Sequence, residues 1–462
     1  MKSTKVLGLL FLSGLIIVFL AFGALYGGTS GPADCQAPDE WFTTATKPPD
    51  ASVAPKPDCR FHQWSWQMFL FLTLPDGAED RLTFMNMPPP STMFMPESKF
   101  AKLASNKRLK VSARQANTAI NSFPFLSIEQ ADTEIGKGSG ILVHRNGRAV
   151  YYSQHINQKF FDFVVSRKLN DFDTYTKVAV DPKLQFDQGV LELKASWRIV
   201  EDGENTDGFF VTEAEIDLVK NVVVNGQTKV VVDPQNTKPA QVALVGLHVV
   251  GVTQGHPGFI WGTFEHNGNA PDLDPKAQPG DPVSAKDFTF YTAKTKRMDC
   301  NVPNIPLVKL NEKTQKLTPV TNVARLNPNG GDTNQDIVKN LNDSVHKKLE
   351  FASIPESLKK NRAIWKNYDL VGTVWLPGTP VQPGKNFASV AVGSTKLANA
   401  TMETFRQPVP KNCFGCHTTQ KAQLLDDKGA VLATLPASNL NLSHALVNNL
   451  LAQKAQRSNN GK

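Results

Sequence analysis

Two Asn-Gly dipeptides, each set between runs of β-branched and aromatic residues, limit the fold of this chain more than any other feature. Ile141–Arg145 and Arg148–Tyr152 flank Asn146-Gly147, and Val222–Val224 and Lys229–Val232 flank Asn225-Gly226. Both residues of a tight two-residue hairpin turn need positive φ, which Asn and Gly reach at low cost, so each dipeptide predicts an antiparallel strand pair. Leu191, Leu193, Ala195, Trp197 and Ile199 alternate with more polar residues and predict a half-buried strand. Further strands are expected at 208–214, 241–253, 258–264, 287–293 and 368–376. Helical signals are fewer: a dense apolar run at 61–72, the spacing of Ile156, Phe160, Phe163 and Val164 within 154–169, and 334–350. No repeat of 20–50 residues is present. The expected class is mixed and β-rich, α+β, with an antiparallel β body and a few helices.

The start of the chain sets the compartment. Lys2 and Lys5 precede Val6 to Tyr26, an uncharged and mostly apolar run that as a helix would span about 31 Å, close to one bilayer core. Residues 1–26 therefore read as a signal anchor or a signal peptide, with Ala21-Phe22-Gly23 offering small residues at cleavage-like spacing. Either reading puts the positive end inside and the body outside, on the periplasmic side of the inner membrane, anchored or secreted. Residues 27–60 are rich in Pro, Ala, Thr, Asp and Gly and read as a linker. The net charge of +8 is scattered over the chain. It fits a solvated surface, or a docking face for an acidic redox partner or anionic lipid. There is no Lys/Arg tract with interleaved aromatics, which argues against nucleic acid as a partner.

Five cysteines are present. In an oxidising compartment Cys35, Cys59 and Cys300 allow one disulfide with one thiol left over. Cys35–Cys59 is the nearest pair, and pairings through Cys300 stay open. The other two lie in Cys413-Phe414-Gly415-Cys416-His417. Two residues between the cysteines put both sulfurs on one side of a helical turn, where they can form thioethers with the two vinyl groups of one porphyrin. The next residue's imidazole then turns under the plane to bind the iron. C-x-x-C-H is thus the attachment signature of haem c. A thioredoxin-type dithiol wants a strand before and a helix after the motif, whereas here prolines precede it. Zinc wants a second ligand pair, and no Cys pair or His-x-x-x-His follows. The expected cofactor is one covalent haem c, anchored by Cys413 and Cys416, with His417 as proximal axial ligand.

The second axial ligand decides what such an iron can do. No methionine follows His417, and His444 is the only later histidine. His444 is one candidate, which would give a bis-His, low-potential centre. Met402 is another, on a short helix expected near 395–407 that Pro408 and Pro410 would end. A residue of the body, or an open position, is the remaining alternative. Residues 438–456 have an amphipathic helical pattern. Residues 61–394 then form the β-rich body and 395–462 a small α-helical haem c segment. That segment is too short for a sizeable core of its own, so its haem should also pack against the body. His248, His266 and Glu265 could form a cluster, but separate structural roles are the simpler reading.

The pentapeptide makes the chain resemble the c-type cytochromes in the broad sense. Trp64-Ser65-Trp66-Gln67-Met68-Phe69-Leu70, Leu244–His248, Trp261–Asn267 and Thr401–Phe405 resemble an uncharacterised family of bacterial secreted cytochrome c-like proteins. The resemblance implies haem binding and electron transfer, and supplies no substrate or catalytic residue. The chain is thus expected to be a periplasmic or membrane-tethered mono-haem cytochrome that exchanges electrons with a redox partner protein. A peroxidase-like haem oxidoreductase and a haem-containing ligand-binding or sensor protein are the alternatives.

Overall fold

The computed structural model describes residues 35–43, 58–76, 78–95, 109–113, 140–224, 226–304, 307–331, 334–351, 362–378, 380–408, 412–425 and 429–460. The apolar segment read as an anchor or signal peptide lies outside them. Among the described residues, no helix is long and apolar enough to cross a membrane.

A mixed sheet of 8 strands organises the chain. Its members are β1 (Leu109–Ala113), β2 (Val150–Ile156), β3 (Leu191–Ile199), β4 (Val211–Val224), β5 (Gln227–Thr253), β6 (His256–His266), β7 (Tyr368–Trp375) and β8 (Val392–Gly393). Spatial order is β8-β7-β6-β5-β3-β2-β1-β4, and β4 pairs back onto β5, so five strands close into a circuit. All pairings are antiparallel except β1 with β4. At the second Asn-Gly, Gly226 takes φ 75° and Val224 pairs with Gln227 at the end of the β4–β5 hairpin. At the first, Gly147 (φ 84°) donates its N–H to the His144 carbonyl at 2.8 Å. Residues 141–145, however, contribute a single bridge, Val143 to Ala149, rather than a strand. The expected strand at 287–293 is also only a bridge, between Phe288 and Tyr291.

One face of the sheet carries Leu193, Ala195, Trp197, Leu247, Val249, Ile260 and Phe264. It is covered by α1 (Asp58–Leu72) and α4 (Gln335–Phe351). Helix α1 has no Gly or Pro and is apolar on most sides, as a helix buried between layers should be. Its Phe69 stacks on Phe264 at 4.3 Å, and Trp66 donates its indole N–H to Asn342 of α4 at 2.7 Å. Gly262 lets α1 lie against the sheet, because a Cβ there would stand 2.5 Å from Ser65 Oγ.

The disulfide joins Cys35 to Cys59, and Cys300 is a free, half-buried thiol. The linker reading of 27–60 needs correction here: Cys35, Ala37, Trp41 and Phe42 are buried in the core beside α1. The disulfide and a helical turn at Glu40–Thr43 bring this stretch onto the core. Helices also form at α2 (Gln158–Ser166), α3 (Phe172–Val178) and α5 (His444–Asn460). The expected helix near 395–407 is instead a series of turns, and a hairpin, β9 (Ala422–Leu425) with β10 (Val431–Leu435), lies between the pentapeptide and α5.

Candidate haem-attachment site

The second face of the sheet was expected to be its exposed polar half. Every position of β3 is buried, including Glu192, Lys194, Ser196 and Arg198. Strand register sets three parallel rows across this face: Glu192–Val250–Trp261, Lys194–His248–Thr263 and Ser196–Gly246–Glu265. The last part of the chain covers them. Phe414, Leu435, Leu446 and Leu450 share one core cluster with Val250, Phe259 and Trp261, so this segment has no core separate from the body. At about 1.5–3 kcal/mol for each large side chain fully buried, that shared cluster is a main source of the segment's stability.

Residues 399–404 lie on the two polar rows. Asn399 donates to Thr263 Oγ1 and the Phe264 carbonyl, and Ala400 N–H donates to Glu265 Oε1 at 2.6 Å. Thr401 shares a hydroxyl hydrogen bond with Ser196 at 2.7 Å. A Cβ at Gly246 would stand 2.7 Å from both of these hydroxyl oxygens, so only glycine admits the contact. Glu403 pairs with His248 at 3.1 Å. Burial works to raise the Glu403 pKa, but the charge and hydrogen bond of His248, with Lys194, hold it below the usual carboxylate value. Met402 points into a different core cluster, with Leu142, Val150, Tyr152, Val245 and Phe290.

The conceived cluster of His248, His266 and Glu265 does not form. Strand alternation puts His266 on the opposite face from Glu265, where its ring stacks on Phe209 at 3.6 Å and a ring nitrogen meets the Gly208 carbonyl. Glu265 is paired with Arg325 at 2.8 Å.

The pentapeptide is a single 3₁₀ turn at Cys413–Gly415. Asn412 caps it by accepting the Phe414 N–H at 3.1 Å, while its amide donates to the Ala388 carbonyl. The amides of Cys416 and His417 both donate to the Cys413 carbonyl, at 3.2 and 2.8 Å. Phe414 is fully buried and pins the turn to the core. Neither cysteine is in a disulfide, and both are half-buried. Burial, then the negative charge of Glu403, pushes the Cys413 thiol well above its ordinary value, so it is held protonated.

His417 is buried, with its ring against Trp261 on β6 (centroids 4.1 Å apart) and stacked on His444 (3.9 Å, planes 23° apart). Its Nδ1 lies 2.8 Å from the Leu442 carbonyl. A carbonyl only accepts, so Nδ1 carries the proton and Nε2 keeps its lone pair, the tautomer a metal ligand needs. Burial, helped by His444, holds the His417 pKa well below normal, so the ring is neutral. Burial also lowers that of His444 to about 4, against a hydrogen bond to the Cys416 backbone.

The carbonyl that selects this tautomer is itself well held. Tyr175 of α3 donates to Asn441 Oδ1 at 2.7 Å, and the Asn441 amide donates to the Gln420 and Pro436 carbonyls. Ser443 caps α5 by accepting the Leu446 N–H, and donates its hydroxyl to Glu192 Oε2 at 2.7 Å. Burial pushes Glu192 up to about 7, opposed by this hydroxyl and the Ala445 N–H.

The turn brings together the donor set that a haem anchor needs: two thiols outside any disulfide and one neutral imidazole whose Nε2 keeps its lone pair. The sixth position is less complete. His444 is brought to His417, but ring to ring. Two imidazoles on opposite sides of one iron, each about 2 Å from the metal, would be separated by the porphyrin plane. The observed stack leaves no such gap. Among the described residues, no group of three or more His, Cys, Asp or Glu side chains could hold a metal ion without a cofactor. The sequence reading missed Trp261, Glu192, Lys194, Glu403 and Ser443. The strand register around Glu192, Lys194 and Trp261 was legible, but their cover was not. No known protein family, curated protein or solved structure matches the chain.

Proposed function

We propose that the chain is a mono-haem c-type cytochrome that transfers electrons on the periplasmic side of a membrane. Cys413 and Cys416 are its thioether anchors and His417 its proximal ligand. The observation that carries this reading is the hydrogen bond from His417 Nδ1 to the Leu442 carbonyl, within the same turn that presents both thiols. Haem c bound there supplies a one-electron iron couple. The protein's own contribution is to hold the tautomer, exclude water from the His417 ring and cover it with Trp261 and His444. A redox partner protein and a membrane contact through residues 1–26 belong to the same proposal.

His444 is proposed as the distal ligand, a role that requires it to part from His417 and release Cys416. Met402, whose side chain fills another cluster, is the weaker candidate. The His417–His444 stack also supports a second reading, an open sixth position, as in a peroxidase-like enzyme or a haem sensor.

The test is an absorption spectrum of the reduced protein, with and without carbon monoxide, on protein matured in a host that attaches haem c. A six-coordinate, low-spin spectrum insensitive to carbon monoxide supports electron transfer. A carbon monoxide-binding iron supports the second reading. Colour that can be extracted into acidified solvent, or an unchanged spectrum and unchanged haem retention in Cys416→Ser, sinks the covalent assignment. If His444→Ala leaves the spectrum and midpoint potential unchanged, His444 is not the distal ligand.

A further inference from the structure

Trp261 sits on β6, in the body, yet its ring lies 4.1 Å from that of His417. It is 4% exposed, and its indole N–H is buried with no acceptor among the described residues. An unpaired buried donor costs about 1–3 kcal/mol, so its retention calls for an acceptor. Trp64, Trp365 and Trp375 also carry unpaired indoles, but only Trp261 touches the pentapeptide histidine. The neighbouring row of the same sheet face holds buried Lys194 and His248, and His248 pairs with Glu403. The haem proposed for this turn carries its own acceptors, its carboxylates, and one of them on this side would meet the indole N–H.

Resting on the haem reading above, we infer that Trp261 is a haem-binding residue contributed by the β body, its indole N–H donating to a carboxylate of the porphyrin. The sheet then forms a wall of the haem pocket. It sets the redox potential through that bond as well as supporting the C-terminal segment. A donor on the carboxylate offsets its negative charge. Removing the donor strengthens that charge beside the iron, favours the ferric state and lowers the midpoint potential. It also raises the pKa of the carboxylate, so the pH-dependent step of the potential moves to higher pH.

The experiment uses the holoprotein labelled with ¹⁵N at tryptophan, with Trp261→Phe to assign the indole signal and to preserve an aromatic ring in the core. The expected results are an indole proton protected from solvent exchange whose shift follows the pH step of the potential. In Trp261→Phe, the spectrum stays intact, the midpoint potential falls and the step moves to higher pH. A trapped water as acceptor would leave the proton protected but the potential and its pH profile unchanged, and this overturns the inference. So does an indole that exchanges like an exposed one. A wild-type protein without a covalent haem spectrum removes the underlying reading, a failure distinct from either of these.

Discussion

The two faces of the central sheet are both closed to solvent, but by different means. Under α1 and α4 the contact is aromatic and aliphatic, with Phe69, Trp66, Phe264 and Trp365 ring against ring. Under the C-terminal segment the same strands present Glu192, Lys194, Ser196, His248 and Glu265, each buried. The first face is a core in the ordinary sense, and many hydrophobic residues could serve it. The second face depends on specific partners. A buried carboxylate or amide is stable only while its mate is in place, so the cover is tied to one position. The site described above is built on the second face, where position matters most.

Substitutions can test this contrast. The largest loss is expected on the dry face. Phe69→Ala removes a ring stacked on Phe264 and edge-on to Trp66 and Trp365, and should cost about 3–5 kcal/mol in urea unfolding with no change in the slope of stability against pH. On the polar face the signature is pH. Glu192 has an ordinary pKa of 4.5 that burial raises to about 7 in the folded protein. Because the folded value is the higher one, its contribution is complete below the unfolded pKa and is lost as pH rises through the folded pKa. Wild-type stability should therefore fall by about 2–3 kcal/mol between pH 4 and pH 8 relative to Glu192→Gln. Parallel pH profiles for the two proteins would mean that Glu192 is not buried against Ser443 as described.

Gly246→Ala places a methyl 2.7 Å from two hydroxyl oxygens. It should cost about 1–3 kcal/mol and speed hydrogen exchange at the Ala400 amide, which is bonded to Glu265. An unaffected Ala400 amide would show that residues 399–404 do not rest on the sheet. The smallest effect belongs to Ser443→Ala. Loss of the cap should cost about 1 kcal/mol and move the Glu192 titration further upward, read from the same pH profile.

Much of the sheet could be read from local pattern. The β4–β5 hairpin follows from Asn225-Gly226 between valine runs, and β3 from the alternation of Leu191 through Ile199. The pentapeptide was legible because its chemistry is confined to five neighbouring residues. What escaped depends on contacts across long separations. Glu192 looks like a solvent-facing residue of a half-buried strand until Ser443, 251 positions away, is seen to bond it. The apolar spacing near 395–407 suggested a helix. There the backbone turns instead, with Asn399, Ala400 and Thr401 bonded to strand side chains as well as within the turn itself, where Thr401 donates to Asn399 Oδ1. The strand expected at 287–293 was equally plausible from its residues. Its Phe288–Tyr291 bridge shows a tight turn rather than an extended run.

The Ser443–Glu192 contact also bears on how the protein is made. Synthesis runs from the N-terminus, so β3 and its buried charges exist well before the residues that cover them. Until the last part of the chain arrives, one side of the sheet is wet and its carboxylates are ionised. Docking of that part brings Phe414 and His417 onto Trp261, and Ser443 at the start of α5 onto Glu192. On the haem reading proposed above, thioether formation at Cys413 and Cys416 would come before that closure, while both thiols are still accessible. A chain that closes first would hide Cys413 in its protonated, least reactive form. On that reading, covalent attachment competes with the final docking of the C-terminal segment.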